Sequence, residues 1–326
     1  MTKKTVLLFL ASVLLAGTAL AEDAGTSPLT YSITTDFAWY PESAYTAGAD
    51  HFAPVTGAYS ALQARTTLSA AYRVPAVLPF VPAQHPLFRD SNVTFTGELE
   101  VTPVTVMPKF SVSFSPAAFL VFSAGGTAGT GWDVIGIQGM AEYDPEAQAY
   151  ENLDPFRSWY LNGYANGTFM FDTAALWPGD WHHIIMVASY EVSYKTLTGT
   201  ARTVWDWQTI KNCADGWQYD QYYLLGYQMP GTVSLAGVSA ELYGHYNASD
   251  YGEIAASFSG DFMTVEICPL VQLTLSERDT LIVLGDIKSR RSFTERHDSE
   301  DSEPVLTYAG REWFFQDIAL RWKHTF

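Results

Sequence analysis

The sequence predicts an all-β protein closed into a transmembrane antiparallel up-and-down barrel of about twelve strands. Three observations carry that prediction. Apolar and polar residues alternate at period two through most of the chain, the pattern of a strand with one greasy and one wet face. Aromatic residues are dense, with 19 Phe, 19 Tyr and 10 Trp, while charged residues make up only 16%. Beyond residue 21 no apolar run is long enough for a membrane helix. Alternation cancels in an average, so mean hydropathy sits near zero although half of the side chains suit lipid. A chain that enters lipid must pair every backbone group, and a closed sheet does so.

Residues 1 to 21 carry Lys3 and Lys4, an apolar run from Val6 to Leu15, and Ala19-Leu20-Ala21 before acidic Glu22. That is the pattern of a cleaved secretory signal peptide, with cleavage expected after Ala21. Residues 22 to 326 are then expected to form a single barrel domain. They hold 16 basic against 35 acidic residues, a net charge of −19, which excludes nucleic acid as a partner. Cys213 and Cys268 are the two thiols and do not make a disulfide framework.

The first strand is expected over Leu29 to Tyr40, with Leu29, Tyr31, Ile33, Phe37 and Trp39 opposite Thr30, Ser32, Thr34 and Asp36. A long loop, 41 to 58, leads to a second strand, Tyr59 to Val74, whose polar face includes Arg65. Val74 to Phe88 contains Pro75, Pro79, Pro82 and Pro86 and is expected as an apolar connection at the rim, or a segment folded across the mouth. Asn92 to Thr102 is a clean third strand with Glu98 and Glu100 on its polar face. The fourth strand is expected from Phe110 through Ser123, with a disturbance at Pro116. The glycine-rich run 125 to 131 reads as a flexible turn, since no lysine follows it as a phosphate-cradling loop would require. Trp132 to Tyr143 is expected as the fifth strand and Trp159 to Phe171 as the sixth. Trp177 and Trp181 flank a tight turn, where indoles suit a membrane rim. The seventh strand, Ile184 to Tyr194, places Glu191 on its polar face. Residues 195 to 215 read as a loop. Trp217 to Met229 and Val233 to Tyr246 are the eighth and ninth strands. The tenth is expected to open at Ile254 and to switch face near Met263 through a bulge. Leu281 to Phe293 is the eleventh, followed by an acidic loop, Thr294 to Pro304. Fourteen strands is the alternative count, if Thr200 to Gln208 pairs locally and the tenth strand splits.

The last strand is Trp313 to Phe326. Phe314, Ile318, Leu320, Trp322 and Phe326 are expected on one face and Asp317, Arg321, Lys323 and Thr325 on the other, with interruptions at Gln316 and His324. An amphipathic strand closing on Phe resembles the carboxy-terminal assembly signal of bacterial outer-membrane β-barrels. The resemblance implies that this strand pairs with the first to close the barrel. It also implies that export and barrel-assembly machinery handle the chain, that outer-membrane lipid surrounds it, and that long loops face outward and short turns the periplasm.

A secreted β-sandwich would need outer faces rich in charge, whereas the non-apolar faces here are mostly Ser, Thr, Asn and Gln. With about twelve strands the lumen falls between side-chain-filled eight-stranded barrels and open sixteen-stranded porins. The expected function is therefore a narrow, porin-like channel for small solutes with cation preference. Its charge filter would be drawn from Glu98, Glu100, Glu191, Arg65, Asp317 and Arg321. The alternative is a closed barrel acting as a surface-binding or structural protein through its long loops. No enzyme activity, cofactor or metal is expected: His297-Asp298-Ser299 is the one H-x-S, in the acidic loop, and His182 and His183 point to opposite faces.

Overall fold

Twelve strands pair edge to edge and return on themselves, so no sheet edge is left in the ring. The computed structural model describes residues 27–40, 62–76, 87–88, 90–134, 137–144, 149–208, 210–296 and 305–326. The signal peptide, the loop 41–58, most of the proline-rich segment and the His297-Asp298-Ser299 stretch lie outside them. The barrel strands are β1 (Leu29–Trp39), β2 (Leu62–Pro75), β3 (Asn92–Val101), β4 (Thr105–Ala117), β5 (Leu120–Gly131) and β8 (Tyr160–Asp172). They continue with β9 (His183–Leu197), β12 (Gly216–Gln228), β13 (Val233–His245), β14 (Thr264–Thr274), β15 (Asp279–Arg296) and β16 (Val305–Thr325). Each pairs antiparallel with its neighbours, and β16 closes on β1. Four further strands form a separate sheet in the order β11-β10-β6-β7: β6 (Met140–Asp144), β7 (Ala149–Asn152), β10 (Val204–Trp207) and β11 (Ile210–Ala214).

Burial is inverted relative to a water-soluble core. Tyr31, Phe37, Phe95, Phe110, Phe122, Phe169, Leu225, Leu320 and Trp322 are exposed, whereas Thr127, Asn162, Thr168, Ser189, Ser193 and Ser239 are buried. Period-two alternation produces this directly, because each strand turns one set of side chains out and the other in. The outer surface is a continuous apolar belt, far larger than a soluble monomer tolerates, and lipid is the solvent that fits it. Aromatic pairs mark its edges: Tyr190 and Tyr246 share a hydroxyl hydrogen bond of 2.7 Å at one end. At the other, the exposed Trp177 and Trp181 flank the β8–β9 turn, and Tyr227 Oη donates to the Trp181 carbonyl at 2.8 Å. No helix among the described residues is long and apolar enough to cross a membrane.

The strand count agrees with the sequence reading, but three boundaries do not. The chain turns at Ala118 and Phe119 between β4 and β5, and the glycine-rich run is part of β5. Pro116, near the end of β4, had been expected to interrupt one strand; it lies beside the turn that separates two. The described residues of Trp132 to Tyr143 lie outside the barrel ring, so one strand gained and one lost keep the total at twelve. Residues 254–258, expected to open the tenth strand, instead end a short 3-10 stretch (Ala248–Ile254) and form a one-turn helix, α1 (Ala255–Phe258), above the rim. The expected face switch near Met263 is therefore a change of element, with β14 beginning at Thr264.

A bulge does occur in β16. The β15–β16 register shifts between Asp286/Asp317 and Ile287/Phe315, leaving Gln316 as the extra residue. Ile318, Leu320 and Trp322 face outward as expected, and Phe326 is exposed at the end, its amide donating to the Tyr31 carbonyl at 3.0 Å. Phe314 does not share their face. One residue of slip reverses the alternation, so Phe315 points out and Phe314 turns inward beneath Arg290, whose guanidinium carbon is 4.5 Å from the ring centroid.

Candidate functional site: the barrel interior

All six residues expected to line the lumen lie on inward faces, and the structure divides them between two walls. On the wall β16-β1-β2-β3-β4, charges are paired into a ladder that crosses five strands. Arg321 Nε and Nη2 donate to the Asp36 carboxylate at 2.7 and 3.0 Å, and Arg65 Nε donates to the same group at 2.9 Å. Arg65 reaches Glu100 at 3.6 Å, and Lys109 Nζ donates to Glu100 at 2.7 Å. Inward alternation sets the side chains on one surface, and register does the rest: Asp36 lies directly opposite both Arg65 and Arg321. Buried ion pairs survive where hydrogen bonds compensate desolvation, and here each carboxylate receives at least two. Glu98 is half-buried one pleat away, opposite Lys109 in register.

The other wall is acidic. Glu191 on β9 faces Asp220 on β12, Glu241 on β13 faces Glu266 on β14, and Asp286 on β15 faces Asp317 on β16. Glu191, Glu241, Glu266, Asp286 and Asp317 are all buried. Lys288 Nζ lies 3.4 Å from Glu266 and supplies a positive charge there. Directly opposed carboxyls repel when both are ionised, so register gives these acids no cross-strand counter-charge from the residues they face. Asp36, Lys109, Asp220, Glu241, Glu266 and Asp286 were missing from the sequence-based set. The signal exists in the sequence: alternation that turns Val265 and Ile267 outward obliges Glu266 and Cys268 to point inward. What sequence could not supply was the register that aligns one strand's carboxylate with the next.

The β6-β7-β10-β11 sheet occupies the mouth at the end carrying the longer connections. Residues 195–215 read as a loop in sequence, yet Val204, Trp205, Asp206 and Trp207 are each buried. At the tip of the β10–β11 hairpin, Gln208 adopts a left-handed φ of 55°, as a tight hairpin turn requires. Its Nε2 donates to Thr105 Oγ1 at 2.7 Å and to Glu100 Oε1 at 3.3 Å, which docks the hairpin on the paired wall. Trp207 stacks on Tyr160 at 4.9 Å, and Trp205 Nε1 donates to Asp215 at 2.9 Å. The glycine-rich run makes room for this. A Cβ at Gly129 would come within 2.8 Å of the Trp207 ring, so the strand behind the indole needs a residue without a side chain.

Tyr143, on β6, is buried beside Asp144, and burial first and that carboxylate second push its phenol up to about 12. Cys213 and Cys268 are free thiols, on β11 and β14 respectively. Cys268 lies near the middle of β14.

No protein-family profile matches the chain, and no curated protein matches it. Solved structures do. An outer membrane channel from Pseudomonas putida F1 aligns over 94% of this chain and 100% of its own, at 9% identity and a TM-score of 0.46. The outer membrane channel DcaP of Acinetobacter baumannii aligns over 91% and 96%, at 10% identity and a TM-score of 0.36. An anion-selective porin from Comamonas acidovorans aligns over 91% and 98%, at 11% identity and a TM-score of 0.32. On its own geometry, a closed antiparallel ring with an apolar belt outside and a polar interior, the chain has the fold of a bacterial outer-membrane β-barrel.

Proposed function

We propose that the protein is a narrow outer-membrane channel for small solutes with cation preference, constricted at its outer mouth by the β10–β11 hairpin. The observation that carries this reading is the acidic wall, six inward carboxylates on β9, β12, β13, β14, β15 and β16. A constricted, low-dielectric passage focuses the field of such a row, concentrating cations and excluding anions. Glu100, Arg65 and Arg321 act differently from the filter role expected of them: they neutralise one another and leave selectivity to Glu191, Asp317 and their neighbours. The reading assigns no catalytic role to any residue.

The docking of Gln208 on Glu100 and Thr105 favours a second reading, a closed barrel that serves through its outer segments. Planar-bilayer recording separates the two. Under a salt gradient the native protein is expected to give a cation-selective reversal potential, moved toward zero by Glu191→Gln with Asp220→Asn. Anion selectivity, or no shift in the double variant, would remove the charge filter. Silence of the native protein, with conductance only after residues 204–214 are replaced by a short Gly-Ser link, would establish the closed barrel.

A further inference from the structure

Three buried groups of different chemistry converge inside the acidic wall. A carboxylate oxygen of Glu266, Cys268 Sγ and a carboxylate oxygen of Asp286 all lie within 4.8 Å of one another. Cys268 Sγ donates its proton to Asp286 Oδ1 at 3.3 Å. Beside them stands Glu241, opposite Glu266 across the β13–β14 pair, fully buried, with neither carboxylate oxygen receiving a hydrogen bond. A carboxylate removed from water without a donor is costly, and a bound cation is one way to compensate it.

We propose that Glu266, Cys268 and Asp286, completed by Glu241, form a binding site for a single divalent ion of the zinc class within the barrel. The donor set decides the class. Calcium and magnesium take oxygen shells of six or more ligands, whereas a thiolate with carboxylates suits a borderline-soft ion in a four-coordinate site. Metal–donor bonds of about 2.0–2.3 Å put tetrahedral ligands roughly 3.5 Å apart, so Glu266, Cys268 and Asp286 draw together by about 1 Å on binding, and Glu241 closes on them from the facing strand. The ion replaces the thiol proton now held toward Asp286, and that proton leaves to solvent. Lys288, 3.4 Å from Glu266, is the cation it relieves. The site is independent of the channel reading, since a closed barrel would hold the ion equally well.

The test is titration of the chelator-stripped, detergent-folded protein with Cd²⁺, read by its thiolate charge-transfer absorption, and with Zn²⁺ in competition with a chromophoric chelator. Native protein and Cys213→Ser are expected to bind one equivalent of either ion and to show the Cd²⁺ band. Cys268→Ser is expected to lose the band, and Cys268→Ser and Glu241→Gln each to weaken Zn²⁺ binding at least tenfold, with heat-modifiable gel mobility confirming that the barrel is folded. In Cys213→Ser the remaining thiol is Cys268, so that variant decides the question even if Cys268→Ser does not fold. Absence of the band there, absence of stoichiometric binding by the native protein, or native affinity in Glu241→Gln would overturn the site.

Discussion

The two walls of the interior are built by one rule and come to opposite electrostatic ends. Both take every second residue of their strands inward, and both bury ionisable groups. On the β16-β1-β2-β3-β4 side, register sets Asp36 against two arginines and Glu100 beside Lys109, so charge becomes cross-strand bracing. On the β9 to β15 side, register sets carboxyl against carboxyl, and acid outnumbers base although Lys288 stands beside Glu266. The inserted hairpin docks on the braced wall, where Gln208 finds an acceptor whose charge is already compensated. Formal net charge would not reveal this division: pairing, more than count, determines which wall stabilises the barrel and which faces a passing ion.

The largest effect is expected from unbalancing the braced wall. Asp36→Asn leaves Arg65 and Arg321 buried without their shared carboxylate and should cost about 3–5 kcal/mol. Glu241→Gln on the acidic wall removes a like charge and should leave stability unchanged or raised. Urea unfolding midpoints in detergent micelles test the pair, and equal losses from both would erase the distinction between the walls. A smaller effect is expected at the hairpin's seat. Gly129→Leu forces a side chain into the space of Trp207 and should cost about 1–3 kcal/mol, borne by the hairpin rather than the barrel. Its signature is faster labelling of Cys213 by an impermeant thiol reagent while Cys268 stays protected; unchanged labelling would mean that the indole does not hold the plug.

The smallest effect is silent at neutral pH. Because the Tyr143 phenol is raised from 10.0 to about 12, its contribution to the inserted sheet is complete below pH 10.0 and is lost as pH rises through 12. Native protein should therefore loosen the sheet across that window, as read by Trp205 and Trp207 fluorescence, and Tyr143→Phe should not show the step. Persistence of the step in the variant would assign it to another group.

Much of the barrel was legible because period-two alternation is a local signal. Residues 59–74, 92–102, 184–194 and 217–229 announce strand and facing together. What failed was wherever the signal depends on something distant. Gly125 to Gly131 resembles a turn until Trp207 and Tyr164 are placed against it, since a strand backing a bulky plug needs the same glycines. Val204 to Trp207 looks like loop because four residues are too few to establish a period. Phe314 was assigned to the wrong face because a bulge at Gln316 is indistinguishable in sequence from one polar interruption. The candidate site was legible as a set of inward charges and illegible as pairs, because pairing is a matter of register between strands.

The Asp36–Arg321 contact joins residues 285 positions apart, across a seam where β16 meets β1 over eight residue pairs against eighteen with β15. Closing a loop of that span costs on the order of 5 kcal/mol in chain entropy before any contact returns it. Local hairpins such as β12–β13 form without that cost, so the seam is the last ladder to zip and the natural place for the ring to part. The buried carboxylate of Asp36 is thus a clasp in time as well as in space: until it meets Arg321 the protein is an open sheet with two raw edges in lipid, and afterwards it has none.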